Sequence, residues 1–274
     1  MLRLGYSKGQ NYVVVERMTG GGNGTMAAMA EDLVSRKVDL ILTGGTEAAL
    51  EAQRATSTIP IVFVSVGDPV GVGIAVSLSR PGHNLTGISS SVAEIAGKRL
   101  QLLKQIVPGL TRVTVLLTPK MPNYPAFVPR LKASAQALDM ELVIVEASVP
   151  LNLEQVFQAL AAARPQAIYE AGDPYLFAAR KELAARLLRA RLPASFANFE
   201  HVEEGGLMSY GADSQDLMRQ IAIFIDKIFS GLKPGELPIE LPSKIDLVIN
   251  ARTADSLHLK IPQALLLQAS RLIE

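Results

Sequence analysis

Two periods alternate along this chain. Short apolar runs rich in β-branched residues read as buried strands, and stretches with apolar residues three and four apart read as amphipathic helices. Their alternation predicts an α/β protein with parallel sheets covered by helices. Strands are predicted over 11–18, 38–42, 59–66, 112–117, 141–146, 167–171, 194–199 and 245–249. Helices are predicted over 25–36, 47–55, 71–78, 92–106, 131–138, 153–163, 175–191, 214–229 and 252–257. In the first helix Thr25 can cap, and Met26, Met29, Ala30 and Leu33 form the inner stripe. Residues 84–91 carry no period and read as a crossing, 119–129 as a Pro-rich loop, and 231–242 as an extended segment with three prolines. Leu207 to Tyr210 reads as a return crossing. The expected organisation is an N-terminal lobe of 1–87 plus 207–240 and a C-terminal lobe of 88–206 plus 241–274. Several crossings would join them as a hinge.

One device occurs in both halves. The run Ile59 to Val66 ends in Gly67-Asp68-Pro69, and Ala167 to Ala171 ends in Gly172-Asp173-Pro174. Ligands of open α/β sheets gather beyond the carboxyl ends of the strands, so a carboxylate there is a candidate partner for a cationic group. Asp68 and Asp173 could equally serve their own turns. Thr43-Gly44-Gly45-Thr46 stands between another strand and a helix, where backbone N–H groups attract anions and two hydroxyls add donors. A simple Thr cap is the alternative. Ser65, near the end of the neighbouring strand, could add a hydroxyl. Together these groups offer what a zwitterion needs: a carboxylate for its ammonium and donors for its carboxylate. Tyr210 could cover an apolar ligand or sit half-buried at a hinge. Asn123 and Tyr124, on the Pro-rich loop, could reach a cleft or lie on the surface.

Composition narrows the function. With 49% hydrophobic and 19% charged residues in 274, the chain is globular. Its 27 basic and 26 acidic residues leave a formal charge of +1, which gives no reason to expect nucleic acid. Cysteine is absent, which excludes thiol catalysis, zinc thiolates and disulfides. No apolar run reaches the ~18 residues of a membrane span. The start, Met1 to Tyr6, carries no secretion pattern.

Gly22-Asn23-Gly24-Thr25-Met26-Ala27 fits the dinucleotide pattern G-x-G-x-x-A. The acid expected about 20 residues later, at the end of the next strand, is missing, so a flexible loop is the competing reading. His83, His201 and His258 have no metal-ligand spacing and read as surface or loop residues. No nucleophile elbow or zinc-protease motif occurs. No catalytic role, cofactor or metal is expected.

Four stretches match one family in order: Ala55 to Val70, Arg80 to Gly87 (Arg-Pro-Gly-His-Asn-Leu-Thr-Gly), Gly205 to Gly211 (Gly-Gly-Leu-Met-Ser-Tyr-Gly) and Leu247 to Asn250. The chain resembles ABC-transporter substrate-binding proteins of the tryptophan/tyrosine type, from about residue 2 to its end. The resemblance implies a type I periplasmic-binding-protein fold, with two Rossmann-like lobes closing on a small ligand, often an aromatic amino acid. It also implies a periplasmic location and an ABC permease as partner. The family's ligand positions would fall on Thr43, Thr46, Ser65, Asp68, Asp173 and Tyr210.

There are two departures. Family members usually carry an export signal, a first strand and a helix before the segment resembling Leu2 to Asn11. Without that first strand the N-terminal sheet would have unpaired edges. They are expected to be re-paired by altered strand order or by a partner chain, as a dimer or strand exchange. The Gly20–Gly24 cluster also replaces a less glycine-rich stretch. The reading is thus an importer receptor for an amino-acid-like ligand. The alternatives are the effector-sensing part of a regulator, whose helix-turn-helix and basic face are not present, or a nucleotide-dependent enzyme.

Overall fold

The computed structural model of the protein describes residues 1–18, 25–90, 92–120 and 124–274. In chain order its elements are α1 (Met26–Ser35), β1 (Ile41–Gly44), α2 (Thr46–Ala55), β2 (Ile61–Val66), β3 (Leu85–Ser89), α3 (Val92–Ile106), β4 (Arg112–Leu117), α4 (Tyr124–Ala137) and β5 (Glu141–Glu146). There follow α5 (Leu153–Ala163), β6 (Ala167–Glu170), α6 (Pro174–Ala178), α7 (Arg180–Arg189), β7 (Ala194–Phe196), α8 (Glu200–Glu203), β8 (Met208–Ala212), α9 (Ser214–Phe229), β9 (Ile245–Asn250), α10 (Ala251–Ser256), α11 (Gln263–Gln268) and β10 (Arg271–Ile273). The chain divides into two compact units, Met1–Ser91 with Asp213–Ser243, and Val92–Ala212 with Lys244–Glu274.

In the first unit β1, β2 and β3 form a parallel sheet in that order. Its core joins Ile41, Ile61, Phe63 and Leu85 of the strands to Ala49 and Ala52 of α2. The strand β3 is buried at every position. It lies so close to β2 that a Cβ on Gly87 would stand 2.0 Å from the Phe63 carbonyl oxygen, so only glycine fits. The outer side of β3 is taken by the extended segment before β9: Ser89 N–H donates to Glu240 O (2.9 Å) and Glu240 N–H to Gly87 O (3.0 Å).

In the second unit seven strands run in the order β10-β9-β8-β7-β6-β4-β5, with all pairs parallel except β8 with β9. One face packs Leu100 and Leu103 of α3 and Phe127 and Leu131 of α4 against Val113, Val115 and Tyr169. The other packs Val156 and Leu160 of α5 and Leu183 and Leu187 of α7 against Leu116, Ile168 and Phe196. Covering both faces explains why these strands read as unbroken apolar runs.

Several elements differ from the sequence reading. Residues 11–18 are not a strand; they hold only a single bridge, Lys8 to Tyr12. Residues 71–78 form turns, because the Pro69 carbonyl takes both the Ile74 and Ala75 N–H groups and closes the chain on itself. The expected crossing over 84–91 contains β3, whose Leu-Thr-Gly-Ile-Ser carries too few aliphatic residues to show a period. α4 begins inside the expected Pro-rich loop and tolerates Pro129 because Phe127, Val128, Leu131 and Ala135 bury its inner stripe. The long helix over 175–191 is two, α6 and α7, meeting at Ala179. β8 was expected to return the chain to the first lobe. It instead pairs with β7 and β9 inside the second unit's sheet, and the return comes at Asp213.

The expected rearrangement of strand order to cover an open edge is not seen. Among the described residues β1 pairs only with β2, and Leu42 on its outward face is 47% exposed. The Gly20–Gly24 cluster, and with it the Gly22-Asn23-Gly24 pattern, lies outside the described residues, as does Asn123.

Candidate functional site

All three strands of the first unit end at one edge, and that edge gathers Thr43, Thr46, Ser65 and Asp68. β1 delivers Thr43 buried, and its Oγ1 finds no hydrogen-bond partner among the described residues. A buried hydroxyl without a partner costs free energy, so it marks a place where a further acceptor or donor would be favourable. Gly45, at φ 82°, turns the chain directly from β1 into α2, which has no side-chain cap. Thr46, the first residue of α2, accepts from the Gly67 N–H through its Oγ1 (3.3 Å) and so ties α2 to the end of β2. The alternative reading of Thr46 as the cap of α2 does not hold: Gly45 occupies that position without a side-chain cap, and Thr46 is the first residue of the helix, at its positive dipole end.

Ser65 adopts φ 62°, where the register between β2 and β3 slips at Val64/Val66. A non-glycine residue in that region is uncommon and costs roughly 1–3 kcal/mol. Here it turns the Ser65 side chain out of the ladder into an exposed position at the strand's end. Asp68 is half-buried. Its Oδ1 accepts from the Gly71 N–H (2.9 Å), which is the turn role sequence allowed, while its second oxygen takes no hydrogen bond from the described residues.

The second unit uses its matching acid differently. Asp173 has no exposed surface. Its Oδ1 caps α6 by accepting from the N–H groups of Tyr175 (2.8 Å) and Leu176 (3.3 Å). Its Oδ2 accepts from the Thr118 N–H (2.9 Å) and hydroxyl (2.5 Å). Four protein donors engage the carboxylate, which gives Asp173 a structural role that the sequence left open: it fastens the end of β4 to the end of β6.

Beside it is an acid the sequence reading passed over. Glu170, wholly buried, accepts from the N–H groups of Gly172 (2.8 Å) and Asp173 (2.7 Å) through Oε1 and from that of Ala197 (3.4 Å) through Oε2. Burial pushes its pKa up to about 7, against the pull of Arg99. The Arg99 guanidinium is also buried, lies 3.8 Å from the Tyr169 ring centroid and donates to the Glu170 carbonyl. The only sign of this in the sequence is an acid closing an otherwise apolar strand.

His201, expected on the surface, is wholly buried on α8. Its ring stacks on Phe196 at 4.4 Å and meets Phe177 edge-on at 5.6 Å. Burial, with Arg180 and Arg99 adding to it, pushes its pKa down to about 4. Tyr210 is half-buried on β8 and packed on the core. Tyr124 opens α4 and donates to Glu146 Oε1 (2.6 Å). No group of three or more metal-ligating side chains occurs among the described residues. Among them, too, no helix is long and apolar enough to cross a membrane.

Comparison with known proteins agrees with this architecture. The chain is similar to a conserved domain protein of Vibrio cholerae O1 biovar El Tor, at 29% identity and a TM-score of 0.89, covering 99% of this chain and 90% of that one. It is similar to an ABC domain from Streptococcus pneumoniae solved with L-Trp, at 25% identity and a TM-score of 0.87, covering 99% and 91%. Among curated proteins it is 25% identical to the tyrosine-binding protein of Clostridioides difficile strain R20291, over 93% of this chain and 73% of that protein. The fold is the type I periplasmic-binding-protein fold, with two Rossmann-like α/β units. A family model described as ABC transporter substrate binding protein matches residues 2–273, and the chain belongs to that family of substrate-binding proteins.

Proposed function

We propose that this protein is the receptor of an ABC importer and binds a small aromatic amino acid, tyrosine or tryptophan. The observation that carries this reading is whole-chain similarity to a domain solved with L-Trp. The tyrosine-binding relative supports the same ligand class. Its chemistry agrees with the first unit's strand ends. The α2 N-terminus with Thr43 and Thr46 supplies donors for the ligand carboxylate. Asp68, with one oxygen uncommitted, faces the ammonium, and Ser65 adds a hydroxyl. Tyr210 covers the ring from the second unit. The ligand engages both units, and closure follows as a population shift toward the state in which it touches each. The receptor works in the periplasm and passes its ligand to a permease, with no chemical step of its own.

A thermal-shift screen of the twenty amino acids with NAD(H) and NADP(H) tests this. Tyrosine or tryptophan should raise the melting temperature in proportion to the logarithm of concentration. A shift with a dinucleotide alone would transfer the protein to another class.

A second copy of the chain is the proposed cover for the outer edge of β1, which among the described residues pairs only with β2. Light scattering of the purified protein should then give a dimer mass; a monomer at all concentrations rejects it.

A further inference from the structure

Three neighbouring strands of the second unit, β4, β6 and β7, have their carboxyl ends joined by two buried acids. Asp173 holds Thr118 after β4, and Glu170 holds the backbone of Gly172–Asp173 after β6 and of Ala197 after β7. The charged groups bearing on Glu170 are Arg99 from α3 and Asp173 at the cap of α6. Only Arg99 is of opposite sign, and its guanidinium is held in place by the Tyr169 ring and the Glu170 carbonyl.

We propose that Glu170 is the positioning residue of the ligand site in the second unit: its ionised carboxylate, backed by Arg99, sets the loops after β6 and β7 that a bound amino acid meets. This rests on the receptor reading above. Each oxygen of Glu170 faces an N–H donor. Protonation removes the charge that strengthens these bonds and takes up one acceptor position, so the hold on the loops weakens, first at Oε2, whose bond to the Ala197 N–H is the longest at 3.4 Å. Asp173 depends on the same arrangement, because its own N–H is one of the groups Glu170 holds. The buried acid also titrates near neutrality, so the loops would loosen within the range of mild acidification.

The test is calorimetric titration of L-tyrosine and L-tryptophan into the wild type and Glu170→Gln from about pH 8 to about pH 5.5, with amide hydrogen exchange on the ligand-free proteins. The wild type should lose roughly tenfold in affinity on acidification, the cost of one charge-assisted hydrogen bond. E170Q should bind at the acid wild-type level at every pH, and its Gly172, Asp173 and Ala197 amides should exchange faster. Arg99→Lys, which keeps the charge, should restore part of the neutral affinity relative to Arg99→Ala. Wild-type binding matched by E170Q at all pH values overturns the role of Glu170 alone. Absence of binding in the wild type overturns the receptor reading and this inference with it, whereas unchanged exchange in E170Q overturns the inference by itself.

Discussion

The same motif, an apolar strand running into Gly-Asp-Pro, ends in two different physical roles in the two units. At Asp173 a neighbouring strand supplies Thr118, whose N–H and hydroxyl fill one oxygen, and a helix begins at once and fills the other. At Asp68 none of the described residues supplies a hydroxyl and turns follow, so among them one oxygen stays uncommitted at a half-exposed strand end. What an acid does at a strand end is decided by which donors the adjacent strands bring, and that is a property of the sheet order. The contrast can be broken by substitution.

The largest effect is expected at Asp173→Ala. It leaves Thr118 and two α6 N–H groups without acceptors in the core and should cost about 3–5 kcal/mol of unfolding free energy in urea titration. Asp68→Ala removes one exposed turn bond and should cost under about 1 kcal/mol. Equal losses would erase the distinction.

Next comes the pH dependence of the second unit's core. Glu170 has a raised folded pKa, so its contribution to stability is present below its ordinary value of 4.5 and is lost as pH rises through about 7. His201 has a lowered one, so its contribution is present above 6.5 and is lost as pH falls through about 4. Each is worth about 3 kcal/mol, and between those values they oppose one another. Glu170→Gln removes one side of that balance. The variant should therefore lose about 3 kcal/mol more than the wild type between about pH 7.5 and pH 4.5. The wild type's ligand affinity should meanwhile fall over the same range. Parallel pH profiles for the two proteins would show that Glu170 does not titrate there.

A smaller effect concerns affinity. Asp68→Asn should weaken tyrosine binding by roughly tenfold to a hundredfold, the range for losing a charged hydrogen bond, with the melting temperature nearly unchanged. The smallest is Thr43→Val. Removing a buried hydroxyl without a partner should leave stability equal or slightly higher, while affinity drops less than about tenfold. A large stability loss in T43V would mean that the Thr43 hydroxyl has a structural partner.

The second unit was largely legible in sequence. Its central strands β4, β6 and β7 are buried on both faces, and residues 112–117 and 141–146 lie where their apolar runs placed them. The first unit was less so. Val13-Val14-Val15 has strand composition, but composition cannot supply a partner strand, and without one the segment stays irregular. β3 was missed because a close approach between backbones needs Gly87 where a strand pattern expects a large side chain. At the candidate site the strand ends were readable from Gly-Asp-Pro and Thr-Gly-Gly-Thr. The fate of Asp173 was not, because it depends on Thr118, 55 positions away and reached only through the sheet order. Glu170 was hidden for the same reason: its donors come from two different strand ends.

The most direct test is one calorimetric series comparing L-tyrosine with tyrosine amide, which lacks the carboxylate, and N-acetyltyrosine, which lacks the ammonium. If the first unit's strand ends recognise a zwitterion, the free amino acid should bind and each blocked form should lose at least about tenfold in affinity. Equal affinity for all three, or no heat with any, would contradict it.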